Sequence, residues 1–225
     1  MNRNKLRFTR HRLKNGVILL VSENQSLPLV SMSAFVLAGS DQNTLDQPGT
    51  AALTARLLDE GTRSYTVHEI AQMVESSGGS LSTFSERELS GVSLLSKPHD
   101  LLTMLDLLAE MLMNPVFPED RFQLEREKVL GCLEAMEDDP QIIAANRFNH
   151  RIYQGTPLQY PILGTRKSIQ GLRVRDLQRL HRLRYAPQNT ILVIVGAMET
   201  QRTIEDVEGR FSTWKNPDFE RIEIS

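Results

Sequence analysis

Apolar and polar positions alternate with two different periods along this chain. Residues 16–24 (GVILLVSEN) and 29–40 (LVSMSAFVLAGS) are β-rich runs separated by a short polar turn with Pro28. In the second run Val30, Met32, Ala34 and Val36 alternate with Ser31, Ser33 and Phe35, the period of a half-buried strand with Phe35 as the exception. The two runs are expected to be neighbouring strands. A loop over 41–49 leads into GTAALTARLLDEGT (49–62), read as a helix over 49–60. Leu53, Leu57 and Leu58 share a face, Ala52 and Ala55 lie nearby, and Gly61 is the stop. TVHE (66–69) is a capping-box pattern that opens a second helix with Ile70, Met73 and Val74 inward, closed by Gly78 and Gly79.

Two polar–apolar alternations flank SERE within 80–97, which predicts a hairpin. Helices follow over 98–115, 118–140 and 140–155, the last with Pro140 in its first turn. A helix over 174–187, a buried strand over 189–198 and a helix over 201–214 complete the pattern, and KNPDFERIEIS trails out like a linker. Strands and helices come in separate blocks, which predicts an α+β fold rather than a doubly wound sheet.

Composition narrows the function classes. The 225 residues carry 26 Lys and Arg against 28 Asp and Glu, a net charge of −2. This argues against a nucleic-acid surface built on bulk charge. The basic N-terminus is followed only by VILLV (17–21), too short for a signal h-region or a membrane span. Cys132 is the single cysteine, so no intrachain disulfide is possible; a reducing cytosol is compatible with that, and so is a periplasmic setting after removal of a leader. His11, His68, His99, His150 and His181 form no HxxxH or HxH pair, and each reads as a surface or satisfied histidine. GTRKS (164–168) lacks the first Gly of a phosphate loop, and Cys132 has no His partner nearby in sequence.

An ordered set of segments resembles the pitrilysin/insulinase-type zinc metallopeptidases, including the mitochondrial processing peptidases. These are LKNGV, AGS at 38–40, PGTAALTARLLDEGT, GGSLSTFSERE, NPVFPEDRFQLEREKVLGCLEAMEDDP, YQGTPLQYPILGT and YAPQNTILVIVGAM, together spanning Leu13 to Met198. The resemblance implies a mostly antiparallel sheet with helices packed on it, one half of a processing-peptidase-like clam shell. Residues 1–215 would form that single domain, the N-terminal half of a longer chain, and 216–225 the start of an interdomain linker.

The resemblance also implies a zinc site that these residues do not supply. Active members read His-x-x-Glu-His on the first helix, with a Glu from a later helix as third ligand. Here Ala52 takes the first His position, Ala55 that of the base and Arg56 that of the second His. The third-ligand position falls on Cys132 when EDDP (137–140) is the anchor. It falls on Glu134 when the acidic pair Glu127/Glu134 is the anchor. A guanidinium stays protonated and repels a divalent cation, so no zinc is expected, and Arg56 is expected to pair with Glu127 or Glu134. The strand after GG at 78–79, with Ser82, Thr83, Phe84 and Ser85 at the matching positions, is in the family an edge to which extended peptide adds by backbone pairing. These readings imply a non-catalytic homologue that binds peptides and supports a zinc-bearing partner subunit. The alternatives are half of a peptidase whose zinc site lies elsewhere in the polypeptide, or a stand-alone peptide-binding or scaffold module.

Overall fold

The computed structural model describes residues 7–219. The expected linker therefore lies, from residue 220 on, outside the described residues, as do residues 1–6 of the basic lead-in. Six strands form one sheet: β1 (Thr9–Arg12), β2 (Ile18–Glu23), β3 (Val30–Val36), β4 (Ser80–Ser85), β5 (Ser90–Ser96) and β6 (Thr190–Gly196), in the spatial order β1-β2-β6-β3-β5-β4. Every neighbouring pair is antiparallel except β2 and β6. The expected adjacency of β2 and β3 is corrected here, because β6 inserts between them. Leu192 and Ile194 of β6 are buried on one face, while Ile191, Val193 and Val195 are half-buried on the other. A strand apolar on both sides suits an interior position, so pairing from far along the chain displaces the local neighbour. The lead-in before Gly16 also contributes the short β1, whose edge is charged with Arg10 and Arg12.

Eight helices accompany the sheet among the described residues: α1 (Thr50–Arg56), α2 (Val67–Ser76), α3 (Leu101–Met113), α4 (Glu119–Glu137), α5 (Pro140–Ile152), α6 (Arg166–Gly171), α7 (Val174–Arg184) and α8 (Thr200–Phe211). The capping box that opens α2 is present: Glu69 N–H donates to Thr66 Oγ1, and Thr66 N–H donates to the Glu69 carboxylate. α6 was not expected; a Thr165–Ser168 box of the same kind starts it.

Two apolar clusters result. The larger joins the inner sheet face (Met32, Ala34, Val92, Leu192, Ile194) to α2, α3 and α8. The smaller joins Leu53 and Leu57 of the α1 segment to Phe122, Val129 and Leu133 of α4, Ile169 of α6 and Leu177 of α7. Leu58, expected on one face with Leu53 and Leu57, instead enters the larger cluster. The helix ends at Arg56 rather than at residue 60, and the turn that follows redirects the chain. The α1 segment thus lies between two hydrophobic layers, and each fully buried Leu there contributes about 1.5–3 kcal/mol by removal from water.

Candidate functional site: the degenerate centre on helix α1

α1 is held at both ends by other parts of the chain. Gly49 precedes it at φ +94°, and a Cβ there would lie 2.6 Å from the Leu163 carbonyl oxygen, so this crossing needs glycine. Asn43 Oδ1 accepts from Ala51 N–H at 2.9 Å, which satisfies one of the free donors at the helix start. Beyond the far end, Val116 N–H donates to the Gly61 carbonyl.

The three positions assigned by resemblance to the metal site have different environments. Ala52 and Ala55 are buried, the latter completely. The Arg56 side chain is 37% exposed, and its Nη1 donates to Glu125 Oε2 at 3.3 Å. The Glu125 side chain is only 6% exposed, and its second oxygen accepts from Lys128 Nζ. Two cations therefore share one buried carboxylate.

The expected partners Glu127 and Glu134 are not the ones Arg56 uses. Both line a groove of about 470 Å³ between α4 and α6, where Glu134 meets Arg166 at 3.7 Å. Helical periodicity explains the difference. Glu127 and Glu134 lie two and nine residues from Glu125, on the other side of α4. Cys132 lies seven residues on, along the Glu125 face, and is exposed. Glu125 was missed in the sequence, although a signal existed. Phe122, Glu125, Val129 and Leu133 form one row of α4, and all four are buried. A carboxylate at an apolar position of such a row is a buried charge that needs partners.

Charge continues beyond this pair. The Glu60 carboxylate accepts from Arg121 Nε, and Asp59 sits among Glu60, Glu125 and Lys128. Burial, assisted by the negative charges of Glu60 and Glu125, raises the Asp59 pKa to about 6. The donor set at the assigned positions is thus two methyl groups and a guanidinium, which offer a zinc ion no ligand. Among the described residues no cluster of three or more His, Cys, Asp or Glu side chains is arranged to hold a metal elsewhere. His181, for example, is half-buried, donates from Nε2 to the Leu112 carbonyl at 3.0 Å and stacks on Tyr185.

The edge-strand residues lie a short way off, on β4, which packs against α1. Ser82, Thr83, Phe84 and Ser85 pair with β5 on one side only, and no strand of the described residues covers the other. Ser82 is exposed, Thr83 and Ser85 are half-buried, and Ser85 Oγ accepts from Ser90 Oγ.

Comparison with known proteins decides the family. The model of the insulinase-type peptidases, peptidase family M16, matches residues 19–166. The chain belongs to this family. A relative named as a probable mitochondrial-processing peptidase subunit beta from Arabidopsis thaliana is 25% identical over 200 residues, which cover 89% of this chain and 38% of that protein. A solved structure described as the inactive domain of a peptidase M16 from Pseudomonas fluorescens superposes with a TM-score of 0.88 at 25% identity, covering 97% of this chain and 53% of the other. A protease from Helicobacter pylori gives a TM-score of 0.89 at 22% identity, with 96% and 53% covered, and shows the shared fold. The chain therefore spans about half or less of the length of these M16 relatives.

Proposed function

We propose that this M16 chain is a non-catalytic, zinc-free homologue that binds extended peptide along β4 and supports proteolysis by a zinc-bearing partner subunit. The observation that carries the reading is the Arg56–Glu125 ion pair beside two buried alanines, where ligands and a base would be needed. A fixed cation in that place opposes a second one, and a methyl group neither binds metal nor activates water. Peptide binding at β4 uses main-chain groups, so it does not depend on the metal. The partner expected for such a chain is a similar polypeptide that does contain His-x-x-Glu-His, paired with it as a heterodimer closing a chamber.

The test is zinc content and peptidase activity of this chain, alone and mixed with its most similar zinc-motif relative. No metal and no cleavage alone, with cleavage raised in the mixture, supports the reading. Stoichiometric zinc and cleavage by the chain alone would overturn it.

A second reading draws on length, since the chain spans 38% to 53% of the relatives named above. Residues 1–215 are then one half of a peptidase, residues 216–225 begin the linker, and the zinc motif lies in the other half. Finding His-x-x-Glu-His downstream in the same gene would favour it. A stand-alone binding or scaffold role would show as peptide affinity without recovery of any zinc-bearing relative.

A further inference from the structure

Charge is unevenly distributed along this nearly neutral chain. Residues 166–184 hold seven Lys and Arg against one acidic residue, Asp176. On α7, Arg175, Arg179 and Arg182 recur at helical spacing and are exposed, opposite the buried Leu177 and Leu180. Exposed Lys167 on α6 and Arg173 at the start of α7 extend the patch.

Little among the described residues neutralises it. Asp176 is engaged by the backbone N–H of Arg173 at 2.8 Å. Arg182 meets Asp218 at 3.6 Å. Asp46 feels the charge of Arg179 from the neighbouring loop. Among the described residues no carboxylate lies within ion-pair reach of Lys167, Arg173, Arg175 or Arg179. Like charges one turn apart weaken a helix, so the stripe does nothing for the stability of α7.

Beside the patch is a recess of about 470 Å³ lined by Leu45, Pro48, Tyr160, Leu172 and Lys167. Leu45 at its rim is 46% exposed. Asp46 also lines the recess, and lining residues Gly171 and Leu172 run directly into Arg173, which puts the start of the stripe next to the opening.

We propose that α6, α7 and this recess form a docking surface for an acidic polypeptide segment that carries a large apolar side chain. The carboxylates meet Arg173, Arg175 and Arg179, and the apolar side chain enters the recess beside Leu45 and Leu172. Charge complementarity selects the partner class, and the recess selects within it. A membrane-docking helix needs an exposed apolar face beside its basic one, and the apolar residues Leu177 and Leu180 of α7 are buried in the fold. A nucleic acid would use the basic stripe but leave the apolar side of the recess unfilled. No residue of β4 lines the recess or belongs to the stripe, so the inference does not rest on the peptide-binding reading above.

The experiment is fluorescence anisotropy of a labelled Asp/Glu-rich peptide with a central Leu, titrated with the whole chain. The expected result is saturable binding that weakens about tenfold or more between low and high salt. The charge-reversed variant R175E/R179E is expected to lose about tenfold or more in affinity, with an unchanged circular dichroism spectrum. R175Q/R179Q serves if the reversed variant does not fold. Absence of binding at about 1 mM protein overturns the proposal. So does equal binding by the variant, or by a peptide in which Gln and Asn replace the acids. Tighter binding of a single-stranded oligonucleotide or of phosphatidylserine vesicles overturns it in favour of those surfaces. Sedimentation showing self-association that R175E/R179E abolishes overturns it in favour of a second copy of the chain.

Discussion

The rings of Phe35 and Phe84 lie 5.7 Å apart although their strands, β3 and β4, are not neighbours. Gly91 of β5 pairs with both residues and lies between them. Its missing side chain lets the two rings approach across an intervening strand. The contact ties the edge strand, which carries the candidate peptide-binding residues, to the middle of the sheet.

Gly91→Ala is therefore expected to destabilise the protein by about 1–3 kcal/mol. The added Cβ would lie 2.0 Å from the Ala34 carbonyl oxygen and 2.7 Å from the Phe84 ring. Denaturant unfolding measures the loss. Amide hydrogen exchange should show β4 opening faster than β3, and equal protection of the two strands would contradict this account.

Glu125→Ala leaves Arg56 and Lys128 without their shared carboxylate and opens space in α4. A cost of about 1–3 kcal/mol is expected, lower than for a fully dry ion pair because both cations reach water. Glu125→Gln should cost less, since its carbonyl oxygen still accepts one hydrogen bond. A double-mutant cycle with Arg56→Ala checks the pairing, and a coupling of zero would remove Arg56 as its partner.

Two half-buried groups, Asp59 and His181, respond to pH in opposite senses. The Asp59 pKa is raised to about 6, so its stabilising proton is fully present below the unfolded value near 4 and is lost as pH rises through 6. Burial lowers the His181 pKa to about 4 against the opposing hydrogen bond to Leu112. Its contribution is present above about 6.5 and is lost as pH falls toward 4. In Asp59→Asn the His181 response is no longer opposed by Asp59: stability falls more steeply with acidification than in the parent, and at pH 7 it exceeds the parent's. In His181→Gln stability should instead increase on acidification. Urea midpoints at pH 4.5, 6 and 7.5 distinguish the two slopes, and parallel curves for both variants would refute the assignment.

Ala55→Glu introduces a carboxylate at a fully buried site between packed layers. A loss of about 3 kcal/mol or more is expected from overpacking and desolvation. Arg56→His, at a site already open to water, should cost under about 1 kcal/mol. Thermal unfolding of the two variants tests this ordering.

Local signals in the sequence carried much of this architecture. The Thr66–Glu69 box, the alternation through β3 and the hairpin around SERE each depend on neighbours a few residues apart, and each forms where expected. Long-range pairing was not legible. The parallel entry of β6 beside β2 joins residues 18–23 to 191–196, and nothing local in either run announces it. The early end of α1 depends on the turn leading to Gly61, so Leu57 and Leu58 part to opposite layers. At the candidate site the identities of residues 52, 55 and 56 were readable directly, whereas the carboxylate facing Arg56 required knowing which side of α4 is buried.

The position of α1 between two hydrophobic layers makes metal chemistry there a question of volume before one of coordination. Neighbouring side chains leave no solvent at residue 55 and almost none at 52. An imidazole or carboxylate placed at either position must first push the sheet layer and the outer helices apart. Only then would its lone pairs matter. A designer wishing to install a zinc site on this helix would have to shrink Leu53, Leu57 or their partners on α4 and α7 first, and choose the ligands second.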